Sequence, residues 1–310
     1  MFRDLPVSTV EGPRDDRLRR GRLAQHPWRA FLVLLALQGI CFTLVGFLLF
    51  GVLRLPRQLA NIEAFSTATF FTVSALLGYG IAPFLLGLPK GRHGFKGYLD
   101  DIRITVARPV VPLLVLTASC VMVLVLSQGA GSIVYRIAQG ARVTREFLGQ
   151  VFDLGAALPP RSTLLFAQMF SSLEEVVFRG VLLTMLLERH SQRTAIVYSA
   201  VAFGLMHLPG AFSGAPVVFV LGQALWAFLF GLFYGYIFVR SGSLLPSMVV
   251  HWLSNVFQDP LGAYFSTAPA GVRAFYGVTF GYGIPALLLI PWVKFFADRW
   301  LPGGPARRTA

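Results

Sequence analysis

The sequence predicts an all-α, polytopic membrane protein, a bundle of about eight transmembrane helices. Two observations carry this prediction. Hydrophobic residues make up 55% of the 310 residues and charged residues only 13%, which is about half the charged fraction of a soluble domain. Several apolar runs are also long enough to cross the hydrocarbon core of a bilayer. Together these features exclude a soluble enzyme, a disordered chain and a secreted disulfide scaffold.

The chain begins with a polar, basic segment, residues 1–29, in which five arginines fall between Arg14 and Arg22. We expect this segment to be a cytoplasmic tail. The apolar run from Ala30 to Leu53 is too long for the core of a signal peptide, so it predicts a retained first transmembrane helix. Seven more are expected at 62–88, 104–127, 162–187, 194–209, 216–239, 244–257 and 275–296. The fifth and seventh helices are short enough to be buried, tilted or re-entrant.

The eight helices are expected to form one membrane domain, residues 30–298, followed by a short cytoplasmic tail, residues 299–310. Residues 133–154 differ from the rest, because Phe147 and Val151 recur at helical spacing opposite Arg142 and Arg145. This pattern predicts an amphipathic helix at the membrane surface. A loop helix packed on the bundle is the alternative.

The distribution of Lys and Arg predicts the orientation of the chain. The net charge is +13, and in a membrane protein such charge gathers in cytoplasmic loops and on anionic lipid, so no nucleic-acid partner is expected. With eight spans, both tails, the loops 89–103 and 188–193, and Arg240 share one side and hold most of the basic residues. We therefore expect both termini in the cytoplasm. The Arg-, Ala- and Gly-rich composition points to a bacterial inner (plasma) membrane.

Two adjacent carboxylates stand inside an apolar helix. Glu174 and Glu175 lie within LLFAQMFSSLEEVVFRGVLLTMLL, with Arg179 one turn further on. A carboxylate at membrane depth is costly unless it is paired or faces water. Glu175 and Arg179 are four residues apart, share a helix face and can form an ion pair. Glu174 points about 100° away from that pair, which makes it a candidate general base.

Two of the five histidines also lie in apolar helices. Phe203-Gly-Leu-Met-His207 places an aromatic ring and an imidazole on one helix face, and His251-Trp-Leu-Ser-Asn255 places an imidazole and a carboxamide on one face. Imidazole and amide N–H groups can stabilise the oxyanion of a tetrahedral intermediate. Each feature alone is often structural. Their combination on three helices indicates one shared polar site, because buried ionisable groups are rare in membranes.

These three motifs together resemble the CPBP family, the intramembrane protease family that includes the type II CAAX prenyl proteases and is also called Abi. The family pattern is EExxxR, then FxxxH, then HxxxN, on successive membrane helices. All three motifs are complete here, within about residues 160–260. The first half of the chain has no motif that matches.

The resemblance implies a glutamate-dependent endopeptidase that hydrolyses a membrane-embedded protein or peptide within the lipid bilayer. The expected roles are water activation by Glu174 and His207, oxyanion stabilisation by His251 and Asn255, and support of the site by Glu175, Arg179 and Phe203. No cofactor is expected, since Glu174 and His207 suffice to polarise water and Asn255 is a poor zinc ligand. A divalent metal held by Glu174, His207 and His251 is the alternative, because two histidines and a glutamate can ligate zinc.

Two other functions compete with proteolysis. One is a non-catalytic membrane partner, such as a bacteriocin-immunity protein of the same family, against which the complete motifs argue. The other is a proton-coupled transporter, since intramembrane Glu and His also form relays. Transporters usually have matching halves, whereas the polar membrane residues of this chain lie only in its second half.

The expected orientation also bears on the substrate. It places His207, His251 and Asn255 in the outer half of the membrane, beneath residues 133–154. A prenyl protease meets its lipidated substrate from the cytoplasm. We therefore expect a membrane-anchored or C-terminally sorted substrate, cut on the outer-leaflet side.

Overall fold

The computed structural model describes residues 22–56, 72–91, 94–105, 109–152, 168–208, 217–262 and 268–301. The regular elements in these ranges are all helical, so the all-α prediction is confirmed. We number the helices α1 (Pro27–Gly46), α2 (Thr72–Leu85), α3 (Phe95–Asp101), α4 (Val110–Ala138), α5 (Arg145–Val151), α6 (174–187), α7 (Gln192–Leu205), α8 (Val217–Ser241), α9 (Leu245–Gly262) and α10 (270–300). Most of the two expected tails, residues 1–21 and 302–310, lies outside the described residues.

Four segments of the described chain are long and apolar enough to cross a membrane: Pro27–Val52, Val110–Ala138, Val220–Ser241 and Gly277–Trp300. The protein is therefore an integral membrane protein, but the expected count of eight spans is not confirmed. Helix α7 has 14 residues and reaches only about 21 Å at 1.5 Å per residue, less than the thickness of a hydrocarbon core. Helix α9 is long enough, but it carries His251 and Asn255 among its apolar residues.

The segment 133–154 differs from its prediction as one amphipathic helix. Its first residues belong to α4, which runs to Ala138 and ends where Gly140 adopts a φ of +79°, a conformation that favours glycine. A separate short helix, α5, follows after Thr144, whose hydroxyl accepts a hydrogen bond from the Phe147 amide at 3.1 Å. Phe147 and Val151 are buried against the bundle. The loop helix packed on the bundle is thus what the structure contains.

The described loops define two opposite ends of the bundle. At one end, Arg189 donates a hydrogen bond to the Gln25 carbonyl, and the Leu244 amide donates to the Arg103 carbonyl at 3.0 Å. Helix α9 begins at this end and runs away from it. Near its other end Phe257 packs against α5. Helix α5 and the last turns of α9 therefore share the end opposite the Arg103 and Arg189 loops.

Helices α7 and α8 pack at close range through small residues. A Cβ added to Gly231 of α8 would lie 2.7 Å from the Ala200 Cα, and one added to Gly204 of α7 would lie 2.8 Å from the Ala224 carbonyl oxygen. Neither distance is tolerated by a real side chain, so glycine is needed for this approach. The contact fixes the position of α7, which carries Phe203 and leads into His207.

Candidate active site

The two adjacent glutamates stand at the start of α6. A helical turn at 168–171 is interrupted at 172–173, and Glu174 and Glu175 begin the next helical stretch. The stretch then widens into a π-helical segment, Val176–Leu183, which contains Arg179. Glu175 and Arg179 are fully buried, and Glu174 is 9% exposed. Short π-helical segments are frequent at functional sites.

The Glu175 carboxylate binds Arg179 and His251 through one oxygen atom. Its Oε1 accepts a hydrogen bond from Arg179 Nη1 at 2.9 Å and another from His251 Nδ1 at 2.9 Å. The first contact is the ion pair that the four-residue spacing predicts. The second joins α6 to α9 and offsets the cost of burying the carboxylate.

Aromatic rings enclose the Arg179 guanidinium. Its Cζ lies 4.5 Å from the centre of the Phe203 ring, 5.5 Å from that of Tyr234 and 5.9 Å from that of Phe178. Cation–π attraction to these faces stabilises a charge that has lost its water. Phe203 also contacts the His207 and His251 rings edge-on, at 5.2 and 6.0 Å between centroids. Phe203 thus contacts three members of the set.

The contacts of His251 determine which of its nitrogens is engaged by Glu175. Nδ1 donates to Glu175, because a carboxylate only accepts, which leaves Nε2 for another partner. The ring stacks on Tyr234 with 5.2 Å between centroids and 17° between planes. The Tyr234 hydroxyl in turn lies 2.9 Å from the Ser254 hydroxyl. These contacts hold the imidazole in one plane.

His207 lies just past the end of α7. Its Nδ1 is 2.9 Å from the Phe203 carbonyl oxygen. A carbonyl is an acceptor, so Nδ1 carries the proton and Nε2 of the neutral ring carries the lone pair. This is the tautomer that can accept a proton from water.

Glu174 lies among charged and polar groups of the same site. His207, His251, Glu175 and Arg179 all act electrostatically on its carboxylate. Within the described part of the chain it has these neighbours but no hydrogen-bond donor, unlike Glu175. Tyr79 of α2 also lies within electrostatic range of Glu174, and its hydroxyl donates to Met206 Sδ at 3.3 Å. A carboxylate in this setting is free to bind water.

Asn255 completes the set from α9. Its Nδ2 donates a hydrogen bond to the Ser171 hydroxyl at 3.1 Å. Ser171 precedes Glu174 by three residues on the same segment, so this contact places the carboxamide beside the glutamates. The structure therefore brings Glu174, His207, His251 and Asn255 to one place.

Three residues that the motifs did not single out line this place: Tyr79, Ser171 and Tyr234. Ser171 lies in the same apolar segment as the glutamates, so its position in the sequence could have identified it as a site residue. Tyr234 belongs to a Gly-rich stretch whose small residues indicate helix packing, which gives no hint of a ring stacked on His251. Tyr79 lies in the half of the chain without motifs.

The alternative metal set does not form a ligand cluster. Among the described residues, no group of three or more His, Cys, Asp or Glu side chains is arranged to hold a metal ion. Glu174, His207 and His251 are neighbours without converging in that way.

Comparison with known proteins agrees with the motifs. The family model described as "Type II CAAX prenyl endopeptidase Rce1-like" matches residues 158–257. The matched segment is Rce1-like. It spans α6 to α9 and includes every residue of the three motifs, so the resemblance to the CPBP family is confirmed over this segment. No curated protein and no solved structure matched the chain.

Proposed function

We propose that this protein is an intramembrane endopeptidase that hydrolyses a peptide bond of a membrane-anchored or C-terminally sorted protein. One observation carries the proposal: Glu174 lies within electrostatic range of His207 and His251, while its neighbour Glu175 is occupied by Arg179 and His251. Glu175 is thus engaged in structural contacts, whereas Glu174 remains available for catalysis. The Rce1-like match supports a protease of this class.

In the proposed reaction, Glu174 and the Nε2 of His207 bind and polarise a water molecule. Glu174, the proposed base, takes one proton as the water oxygen attacks the carbonyl carbon. The electron pair of the C=O bond moves onto the carbonyl oxygen. Asn255 Nδ2–H and His251 Nε2–H donate to that oxyanion. The intermediate then collapses, the C–N bond breaks, and the leaving amine takes the proton from the base.

The proposed role of His251 defines its charge state. Nδ1–H is already given to Glu175, so a donor at Nε2 requires the imidazolium form. The Glu175 carboxylate, which also pairs with Arg179, lies 2.9 Å from the added charge and stabilises it. This pairing explains why a second glutamate follows the first: it allows a cationic oxyanion donor in an apolar setting.

The proposed substrate follows from the end of the bundle on which the site lies. Asn255 is two residues from Phe257, which packs against α5, at the end opposite the Arg103 and Arg189 loops. If the basic loops are cytoplasmic, as positive charge predicts, the bond that is cut lies toward the outer leaflet. This favours an anchored or sorted protein of a bacterial inner membrane over a cytoplasmic prenylated one.

The test is mass spectrometry of membrane-protein termini in a deletion strain, compared with strains that carry the wild-type protein or Glu174→Ala. We expect a precursor to accumulate equally in the deletion and Glu174→Ala strains, since loss of a general base costs about 10²–10⁴ in rate. Glu146→Gln is the matched control, because Glu146 is exposed on α5 and should leave processing intact. Normal processing in the Glu174→Ala strain would favour the non-catalytic membrane partner.

The proposal includes a metal-free reaction. We expect the purified, reconstituted protein to keep its activity on that precursor after treatment with EDTA or 1,10-phenanthroline and removal of the chelator. Loss of activity that zinc restores would instead support the metal alternative.

A further inference from the structure

We propose that Ser171 is a positioning residue for Asn255: its hydroxyl accepts one amide N–H of Asn255 and so presents the other N–H to the reacting carbonyl. The inference rests on the proposed function and adds to it a residue outside the three motifs. It concerns the hydrogen bond from Asn255 Nδ2 to Ser171 Oγ, 3.1 Å long. This bond joins the segment that carries Glu174 to the helix that carries the oxyanion donors.

The contacts of Ser171 determine the direction of its hydrogen bond with Asn255. Its hydroxyl is 2.6 Å from the Gln168 carbonyl oxygen and 3.1 Å from Gln168 Oε1. A carbonyl oxygen can only accept, so the hydroxyl proton is directed at Gln168. Ser171 Oγ must then accept from Asn255. The group that faces Ser171 is therefore the amide nitrogen and not the amide oxygen.

This orientation matters for the proposed chemistry. A carboxamide can rotate by 180° and place its oxygen where its nitrogen should be, and an oxygen there would repel an oxyanion. The Ser171 acceptor favours the orientation with the nitrogen in place, and it consumes only one of two N–H groups. Ser171 is 7% exposed, so water competes weakly for the bond. Its effect on the reaction is exerted through Asn255, and no contact with substrate is needed.

The adjacent serine provides a matched control. Ser172 is also buried, at 3% exposed, and its hydroxyl donates to the Met169 carbonyl at 2.6 Å, just as that of Ser171 donates to the Gln168 carbonyl. Ser171→Ala and Ser172→Ala remove the same local bond from the same turn. They differ in the bond to Asn255 and in the weaker contact of the Ser171 hydroxyl with Gln168 Oε1, 3.1 Å long. The part of the excess effect of Ser171→Ala that depends on Asn255 reports on the contact between helices.

The experiment measures kcat and KM of the reconstituted protein on the precursor that terminus mapping identifies. We expect Ser171→Ala to lower kcat about 5–10-fold with little change in KM, because the lost interaction acts on the transition state. Ser172→Ala should stay within about twofold of wild type, and Ser171→Thr, which keeps a hydroxyl, should recover most of the activity. Thermal unfolding in detergent should show that both alanine variants remain folded.

A double-mutant cycle completes the test. In an Asn255→Ala background, Ser171→Ala should have no further effect on kcat, since the group it orients is gone. Equal losses in Ser171→Ala and Ser172→Ala, or a full additional loss in the Asn255→Ala background, would overturn the inference and leave the proposed function standing. Full activity in both Glu174→Ala and Asn255→Ala would overturn the proposed function and the inference with it.

Discussion

One oxygen atom of the Glu175 side chain makes both of its hydrogen bonds. Its Oε1 accepts from both Arg179 and His251, while its Oε2 is buried with no partner among the described residues. Nε and Nη2 of Arg179 are in the same condition, so aromatic rings supply the remaining stabilisation of the guanidinium. Removing either Glu175 or Arg179 would therefore leave the buried charge of the other without its partner.

We expect Arg179→Met to destabilise the protein by about 3–5 kcal/mol, because it leaves the Glu175 carboxylate without its buried arginine partner. Glu175→Gln combined with Arg179→Met should recover part of that loss, since the carboxylate that lost its arginine partner is then removed as well. Lys294→Met is the control, because Lys294 is 55% exposed in its pair with Asp298 and such a pair should contribute at most about 1 kcal/mol. Denaturant unfolding in detergent measures all three, and similar losses for the two single variants would contradict the account.

Spacing along the sequence predicts contacts within a helix and no others. It predicts the Glu175–Arg179 pair, found at 2.9 Å, and the contact of Phe203 with His207. It does not predict that Glu175 reaches His251 on α9, because a helical period assigns residues to a face without assigning a partner to that face. For the same reason, spacing does not predict the stacking of Tyr234 on His251.

At the scale of elements, the helices that carry the site are held in place by close packing. Helix α7 approaches α8 at Gly231, where an added Cβ would lie 2.7 Å from the Ala200 Cα. His207 is seven residues beyond Ala200, so a displacement of α7 also moves the imidazole. Geometry at this contact and geometry at the site are therefore linked.

We expect Gly231→Ala to destabilise the protein by about 1–3 kcal/mol, as overpacking of a close contact does, and to reduce proteolysis. Gly222→Ala is the control on the same helix, because a Cβ at Gly222 meets nothing within 4 Å and alanine is the better helix former. Thermal unfolding in detergent and the processing assay provide the two readouts. A Gly231→Ala protein as stable and active as Gly222→Ala would contradict the linkage.

The sequence predicts where helices occur better than whether they span the membrane. Residues 244–257 were expected to be helical, and α9 covers all of them but the first. It is not among the described segments that are apolar enough to cross a membrane, because His251 and Asn255, together with Gln258 and Asp259, lower its hydropathy. The polar residues that the proposed site needs are thus also residues that reduce the hydropathy of the helix. The π-helical segment at Val176–Leu183 also departs from the 3.6-residue period on which the assignment of helix faces rests.

For the whole molecule, the question that matters is which end of the bundle faces the cytoplasm. The site and α5 share one end, and the Arg103 and Arg189 loops share the other. The relation between the two ends is structural, whereas their assignment to sides of the membrane rests on the positions of positive charges.

We expect a cysteine at Gly149 on α5 to react with a membrane-impermeant maleimide in spheroplasts, and one at Lys96 on α3 to react only after lysis. Both positions are exposed, and both variants are made with Cys41 and Cys120 replaced by alanine. The opposite labelling pattern would contradict outer-leaflet cleavage. The site would then be within reach of a prenylated cytoplasmic substrate.

One wall of the site comes from outside the Rce1-like segment. Tyr79 of α2 reaches Met206, the residue before His207. A chimera that receives only residues 158–257 from this protein would thus inherit its reacting groups but would keep the host's own surface along that flank. If that flank selects which peptides enter, relatives with identical motifs can still differ in what they cut, and exchanging α2 would transfer the preference while exchanging the motifs would not.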